Sequence, residues 1–177
     1  AFLSALLDNK LNPKQIFILE NNPSQKLKKI NKTMKFNLIN SISKIDIKTK
    51  IGITLLAIKP NHVIDIFNEQ FNDLTKKSVL ISIVAGKTTA TLKKLSNNNK
   101  NIARAMTNTP VTVGWGTSVA YFTKTTTKTN KIKVLSLLDL VGQVDEVKSE
   151  KYINSFTGLF GSGPAYLFLL LEIWTNL

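Results

Sequence analysis

The stretch 51-IGITLLAIKPNHVIDIFNEQFNDLTKKSVLISIVAGKT-88 decides the fold, because it contains two apolar strands separated by one helix. Residues 51–57 are apolar at nearly every position, which is typical of a strand covered on both faces. Pro60 then begins a segment with apolar residues at helical spacing, and proline is tolerated at the first position of a helix. Residues 79–84 form the second apolar run. This succession predicts a parallel sheet with helices packed against it.

The same alternation extends in both directions from this stretch. Upstream, residues 2–7 have helical spacing, residues 16–19 are typical of a strand, and residues 24–30 form a lysine-rich helical segment. Downstream we expect a helix, two strands and a helix, at residues 88–95, 101–106, 118–122 and 131–141. The prediction is an α/β fold, a Rossmann-like, doubly wound and mostly parallel sheet. In such sheets ligands bind beyond the carboxyl ends of the strands.

The composition favours a cytoplasmic protein and disfavours several other classes. The chain has 177 residues, a formal net charge of +13 and no cysteine, so disulfides and thiolate metal sites are excluded. The positive charge is almost all dispersed lysine, and Arg104 is the only arginine. Proteins that recognise bases and phosphates favour arginine, because its planar guanidinium can form two parallel hydrogen bonds. We therefore expect a solvated basic surface and no nucleic-acid partner. A basic nucleic-acid-binding module is the rival hypothesis, and it predicts affinity that falls steeply with salt.

No membrane partner and no metal are expected from the sequence. The apolar run 166–171 is too short for a span of about 20 residues and is followed by Glu172. His62 is the only histidine, and it follows Lys59-Pro60 at a helix start, where a surface or capping position is expected. Without a second histidine or a cysteine, neither a catalytic triad nor a zinc site can form.

Four strand ends carry residues that set them apart from ordinary loops. They read Glu20-Asn21-Asn22, Ala57-Ile58-Lys59-Pro60, Ala85-Gly86-Lys87-Thr88 and Met106-Thr107-Asn108-Thr109-Pro110. Each alone also fits a plain loop-to-helix junction or turn. Their order along the chain is the more specific signal.

The ordered series LAIKP, SIVAGKT, RAMTNTPVTVGWG, VGQV and TGLFGSGPAYLF resembles pyrroline-5-carboxylate reductase, the last enzyme of proline biosynthesis. The resemblance covers nearly the whole chain. It implies an oxidoreductase with an N-terminal dinucleotide-binding domain, which holds NADPH or NADH, and a C-terminal all-helical domain, which dimerises and completes the substrate site. Hydride would pass from the nicotinamide to the imine carbon of 1-pyrroline-5-carboxylate, giving L-proline. The implied boundaries are 1–150 for the first domain and 151–177 for the start of the second.

The resemblance also implies the cofactor-binding residues. They are Glu20, Asn21, Asn22, Ala57, Ile58, Lys59, Pro60, Ala85, Gly86, Asn108 and Thr109. Small residues let the backbone approach a cofactor closely, and the Asn108 amide can both donate to and accept from a carboxamide. An acid at Glu20 suits a ribose hydroxyl pair, which favours NADH modestly, although Lys26 or Lys28 offers charge for a 2′-phosphate.

The stretch 158-GLFGSGPAYLFLLLEIW-174 supplies the expected substrate end of the site. Its close glycine pair comes last, the reverse of a dinucleotide fingerprint, so a pyrophosphate loop is disfavoured. Ser162 is expected to cap a helix that Pro164 begins, leaving amides free for the substrate carboxylate. Asn108 and Ser162 are the candidate catalytic residues, and Glu150, Ser162, Gly163 and Pro164 the candidate substrate-binding residues. A plain capped helix, and for Glu150 a solvated helix start, are the alternatives.

Relative to the family pattern, the chain is expected to be truncated at both ends. A glycine-rich loop and first strand would precede Ala1, and the helical domain would continue past Leu177. Phe160 also replaces a serine of the family motif. We therefore expect the isolated chain to have little activity, with a non-catalytic remnant that binds a dinucleotide or a partner as the alternative.

Overall fold

The computed structural model describes residues 2–8 and 11–176, and helices and strands alternate through these ranges. The helices are α1 (Phe2–Asp8), α2 (Gln25–Met34), α3 (Val63–Ile66), α4 (Glu69–Thr75), α5 (Thr89–Leu95), α6 (Lys128–Asp139), α7 (Lys151–Phe156) and α8 (Gly163–Thr175). The strands are β1 (Phe17–Leu19), β2 (Asn37–Ile39), β3 (Ile53–Leu56), β4 (Val79–Ser82), β5 (Ile102–Thr107), β6 (Gly116–Phe122) and β7 (Gly142–Glu146). Four 3₁₀ turns and a π-helical segment, Thr157–Ser162, complete the described elements.

The strands form two sheets. The larger has the order β3-β4-β5-β6-β7, and only its β5–β6 pair is antiparallel. Strands β1 and β2 pair in parallel with each other and belong to a separate sheet. The predicted mostly parallel α/β fold is therefore confirmed, although the sheet is divided in two.

Helices cover both faces of the larger sheet, as the doubly wound prediction requires. On one face Val79, Ile81 and Ala105 pack with Val134 and Leu138 of α6. On the other face Leu80 and Ile102 pack with residues of the three helices α3, α4 and α5, namely Val63, Phe71 and Leu92. Alternate residues of β4 thus serve opposite layers, because successive side chains of a strand point to opposite faces.

The helix predicted from Pro60 is interrupted in the structure. A 3₁₀ turn at Pro60–His62 leads into α3, which ends at Ile66, and α4 begins after Asn68. The Asn68 side chain accepts a hydrogen bond from the Phe71 amide at 2.9 Å, which caps α4. Apolar periodicity continued across this break, so the sequence pattern hid it.

The C-terminal region is one helical run, Lys151–Thr175, in which the π-helical segment joins α7 to α8. Among the described residues, this helix alone is long and apolar enough to cross a membrane by length and composition. Only 6% of its most apolar window is buried, and large side chains from Tyr166 to Trp174 are exposed. A helix that is apolar all round and exposed lacks the surroundings that would bury it.

Helix α8 begins at Gly163 with Pro164 in its first turn, as predicted, but the cap predicted at Ser162 does not form. Ser162 has right-handed helical backbone angles and its side chain makes no capping hydrogen bond. The reason is that helical backbone already enters this position from the π-helical segment, so the start of α8 is not a free helix terminus.

Candidate functional site

The carboxyl ends of β3, β4 and β5 lie at one edge of the larger sheet, because these strands are neighbours and parallel. The structure therefore brings together three of the four predicted strand-end segments, at residues 57–60, 85–86 and 108–109. Ala57, Ala85 and Gly86 are exposed at this edge. Gly86 has a φ of 73°, a left-handed conformation that side chains disfavour, so glycine allows the turn there.

Asn108 holds the turn between β5 and β6. Its Oδ1 atom accepts a hydrogen bond from the Thr117 amide at 2.8 Å, and its own amide donates to the Thr117 carbonyl at 3.3 Å. Within the described residues, the Asn108 side-chain NH₂ group has no hydrogen-bond partner. The side chain can therefore donate to a ligand, but its oxygen is already engaged. Thr117, which fixes this orientation, was missed by sequence reasoning because it lies on the following strand.

Two buried hydroxyls beside Asn108 lack partners among the described residues. They are Thr107 Oγ1 and Ser118 Oγ, on residues that face each other across the β5–β6 pair. Buried polar atoms are usually hydrogen-bonded, so an unsatisfied pair needs a partner such as water or a ligand group. These two hydroxyls can therefore form hydrogen bonds to water or to a ligand at the end of β5.

Glu20, Asn21 and Asn22 follow β1 and so belong to the smaller sheet. One Glu20 carboxylate oxygen accepts a hydrogen bond from the Asn22 amide at 3.0 Å, and all three residues are exposed. No strand pairing joins this segment to the edge of the larger sheet in the part of the chain described.

The segment after β3 is an open turn. Lys59 and Pro60 are exposed, Ile58 is half-buried, and the 3₁₀ turn begins at Pro60. His62 lies 3.7 Å from Asp65 on the surface, in line with the expected surface position. No group of three or more metal-ligating side chains occurs in residues 2–8 and 11–176.

The C-terminal helix runs along β5 toward this edge. Arg104 contacts Glu150 and Asn154, whereas Met106, two residues further along the strand, packs with Ile153 and Phe156. The π-helical segment also lies against β5. Because strand and helix advance together, the helix carries residues 157–164 toward the strand end where Asn108 lies.

Glu150 lies at the start of α7, as one alternative expected, but its carboxylate is engaged within the protein and not fully solvated. Its carboxylate accepts hydrogen bonds from the amide and hydroxyl of Thr89 and is 3.3 Å from the Arg104 guanidinium. Arg104 lies four residues before Asn108 on β5, about 13 Å away at the rise of a strand. Ser162 lies a further twelve residues along the helix from Glu150, about 18 Å at 1.5 Å per residue. The structure therefore does not bring Glu150 together with Ser162.

Gly163 and Pro164 are half-buried in the first turn of α8, and the Ser162 side chain is exposed. Phe160, the residue that departs from the family motif, stacks on Phe156 with ring centroids 4.9 Å apart. This stack continues the apolar packing of α7 into the π-helical segment.

A parallel α/β sheet with small residues at its carboxyl edge defines a Rossmann-like domain. No family model matches the chain. Curated relatives do: pyrroline-5-carboxylate reductase of Glycine max is 33% identical over 127 residues, which are 72% of this chain and 46% of that protein. The Corynebacterium melassecola enzyme of the same name is 28% identical over 177 residues, covering 97% of this chain and 63% of that protein.

Solved structures agree with these relatives. A pyrroline-5-carboxylate reductase from Coxiella burnetii has a TM-score of 0.82 and 27% identity, covering 97% of this chain and 63% of that chain. The Plasmodium falciparum pyrroline carboxylate reductase, solved with NADP bound, shares the fold with a TM-score of 0.80 at 23% identity, covering 97% of this chain and 61% of that chain. The chain is thus similar in sequence and fold to pyrroline-5-carboxylate reductases, and it spans about half the length of the curated relatives it matches.

Proposed function

We propose that this chain is the dinucleotide-binding part and the beginning of the helical part of a pyrroline-5-carboxylate reductase. The reaction would be the NAD(P)H-dependent reduction of 1-pyrroline-5-carboxylate to L-proline, a cytoplasmic step of proline biosynthesis. One observation carries this proposal: the helix that contains the GSGPAY motif runs along β5 toward the turn that contains Asn108. The two most specific motifs of the sequence therefore converge on one edge of the sheet.

The residues at this edge fit a nicotinamide dinucleotide. Ala57, Ala85 and Gly86 present little side-chain bulk, so backbone can approach the cofactor closely. The free NH₂ group of Asn108 is a donor for the carboxamide oxygen, and the unpartnered Thr107 and Ser118 hydroxyls leave polar capacity beside it. When bound, the reduced nicotinamide would supply the hydride. Ile58, Lys59, Pro60 and Thr109 would complete the contacts along the strand ends.

The ribose end of the cofactor would lie at Glu20, Asn21 and Asn22. The Glu20 carboxylate has one oxygen on the Asn22 amide, which leaves the other available to a ribose hydroxyl. An acid at this position favours NADH modestly over NADPH. Strand β1 pairs only with β2, and β3 pairs only with β4, so each has an unpaired edge in the described residues. We propose that the family's first strand and glycine loop fit between these edges.

The substrate carboxylate would lie at Ser162, Gly163 and Pro164. The Ser162 hydroxyl is exposed and makes no hydrogen bond within the described chain, so it is available to donate. The imine carbon would then face the nicotinamide held near Asn108. The role of this chain is to orient an already electrophilic imine, which requires neither a metal nor a histidine.

We further propose that α8 is the first helix of an all-helical dimerisation domain. Eight large apolar residues between Tyr166 and Trp174 are 44–73% exposed, which is far more apolar surface than one isolated helix of a soluble domain presents. Burial against helices of the same domain and of a second copy would remove this surface from water. The same exposure would arise if the helix lay in a lipid bilayer, so an experiment must distinguish a protein partner from a lipid one.

The test is a chimera with the Escherichia coli pyrroline-5-carboxylate reductase. That enzyme is 33% identical over 120 residues and would supply the regions that this chain does not span. We expect oxidation of NADH or NADPH that depends on pyrroline-5-carboxylate. A matched chimera carrying Ser162→Ala should raise KM for the substrate without changing the affinity for the cofactor. A folded chimera that binds NAD(P)H but shows no turnover would contradict the reductase proposal and favour a non-catalytic dinucleotide-binding remnant.

A further inference from the structure

A buried ion pair fastens the C-terminal helix to the sheet. Arg104 on β5 is 2% exposed, although arginine is rarely buried so completely unless it is paired. Its guanidinium lies 3.3 Å from Glu150 Oε1 and donates a hydrogen bond to Asn154 Oδ1 at 2.9 Å. Glu150 and Asn154 are one helical turn apart, so both contacts lie on the same side of the helix.

The same carboxylate also holds helix α5. Glu150 Oε1 accepts from the Thr89 amide at 2.8 Å and Oε2 accepts from the Thr89 hydroxyl at 2.7 Å. Thr89 is the first residue of α5, immediately after the loop that contains Ala85 and Gly86. One side chain therefore connects the strand that ends at Asn108, the loop after β4 and the start of the C-terminal helix.

These contacts argue against Glu150 as a ligand of an anionic substrate. Three donors already occupy its two oxygens, and its negative charge would repel a carboxylate. Its side chain is 24% exposed, so little of it is accessible. The Arg104–Glu150 pair instead joins β5 to the start of the C-terminal helix, and we refer to this pair as the anchor.

The anchor matters because Ile153 and Phe156 are the only buried residues in the described part of this helix, and both precede Ser162. Beyond the anchor, Ile153 and Phe156 pack with Met106, and from Gly158 to Gly161 and from Ala165 onward the residues are exposed. Ser162 lies about 18 Å along the helix from Glu150. A tilt of about 10° at the anchor would then move Ser162 by about 3 Å, whereas a misplacement of about 1 Å can cost about 100-fold in rate.

We propose that Arg104 and Glu150 are positioning residues, which set the direction of the helix Lys151–Thr175 and so place residues 162–164 at the strand end. The consequence for substrate binding rests on the proposed function. The fixed direction of the helix does not, because it is a property of the folded chain alone. The two claims can therefore fail separately.

The absence of cysteine allows a direct measurement of this direction. Spin labels would be attached to Lys133→Cys on α6 and Glu172→Cys on α8, two exposed polar positions on elements outside the anchor. Distances would be measured by pulsed electron resonance in the full chain, diluted with unlabelled chain so that only intramolecular pairs contribute. A tilt of about 10° over the roughly 33 Å from Glu150 to residue 172 moves that label by about 6 Å, which is resolvable.

We expect one narrow distance distribution with Glu150 present, and a shifted or broadened distribution in Glu150→Gln, which keeps the size of the side chain but removes its charge. The matched control is Glu146→Gln, which breaks the more exposed pair with Lys131 on the other side of the sheet and should leave the distribution unchanged. A Glu150→Gln distribution identical to the parent, in a chain that is folded by circular dichroism, would overturn the proposal.

A second variant keeps the test decisive if Glu150→Gln does not fold. Asn154→Ala removes one hydrogen bond to Arg104 and leaves the ion pair intact, so it should broaden the distribution less than Glu150→Gln does. An unchanged distribution in Asn154→Ala would then count against the anchor. In the chimera, displaced labels with an unchanged KM for pyrroline-5-carboxylate would support the anchor and contradict the placement of the substrate at Ser162.

Discussion

At the residue scale, Asn108 combines a structural and a functional half in one side chain. Its oxygen accepts from the Thr117 amide, whereas its NH₂ group faces no partner in the described residues. The two halves can be separated by substitution, because aspartate keeps the acceptor and removes the donor.

We predict that Asn108→Asp preserves the stability of the fold and weakens nicotinamide cofactor binding at least several-fold, since one hydrogen bond is lost. Asn108→Ala should weaken binding similarly and also lower the free energy of unfolding by about 1 kcal/mol, because the Thr117 amide loses its acceptor. Urea denaturation and NADH fluorescence titration of the chimera would measure the two effects. Equal cofactor affinity in the parent and Asn108→Asp would contradict the donor role.

Arg104 leads to a second prediction at this scale. Glu150→Gln should lower the free energy of unfolding by about 3 kcal/mol, because breaking a buried pair leaves the arginine uncompensated. Glu146→Gln should change it by less than about 1 kcal/mol, since its pair with Lys131 is partly exposed. Denaturant unfolding would measure the free energy of unfolding of both variants. Equal losses of stability would mean that the buried Arg104–Glu150 pair contributes no more to stability than the partly exposed pair does.

At the scale of elements, the close approach of β6 and β7 depends on two glycines. Gly142, at a φ of 137°, pairs with Gly116, and a Cβ atom there would overlap the Gly116 backbone. Strand β7 can therefore keep its register only while position 142 lacks a side chain.

We predict that Gly142→Ala lowers the free energy of unfolding by more than about 2 kcal/mol, since it adds both steric overlap and a strained φ. Gly52→Ala is the matched control, because its added Cβ has no atom within 4 Å and its φ is not in the left-handed region. Thermal melts of both variants would test this. Equal melting temperatures would show that β7 can shift to accommodate the added Cβ atom without loss of stability.

The sequence was sufficient for the long apolar elements and insufficient for those that depend on neighbours. Strands β3 and β4 were predicted because their residues are apolar at nearly every position, and β5 was predicted as a strand although it carries Arg104. Strand β2 is three residues long and polar at Asn37, and Val144 is the only large apolar residue of β7, so neither has a strong local signal.

Much the same distinction applies to the candidate site. Adjacency of the ends of β3, β4 and β5 follows from a parallel sheet, so residues near Ala57, Gly86 and Asn108 could be predicted to meet. The engagement of Glu150 could not, because its partners Thr89 and Arg104 are 61 and 46 residues away in the chain. The missing helix cap at Ser162 depends on the π-helical segment, which no periodicity of apolar residues indicated.

At the scale of the whole molecule, the exposed helix α8 requires burial. We predict that the chain self-associates in dilute aqueous buffer, and that charged substitutions at Leu167 and Leu171, one turn apart, make it monomeric. Sedimentation velocity on the parent and on Leu167→Glu/Leu171→Glu would measure this, with flotation on neutral lipid vesicles as the alternative partner. A monomeric parent that floats with the vesicles would contradict the dimerisation proposal.

We propose that this chain orients an imine against a reduced nicotinamide at the edge formed by Asn108 and Ser162. Isotope transfer tests this: the chimera is supplied with pyrroline-5-carboxylate and NAD(P)H deuterated at the transferred position, and the product is analysed by mass spectrometry. We expect proline with a single deuterium at the former imine carbon, formed more slowly in Ser162→Ala. Proline without deuterium, or no proline from a folded chimera that binds the cofactor, would contradict it.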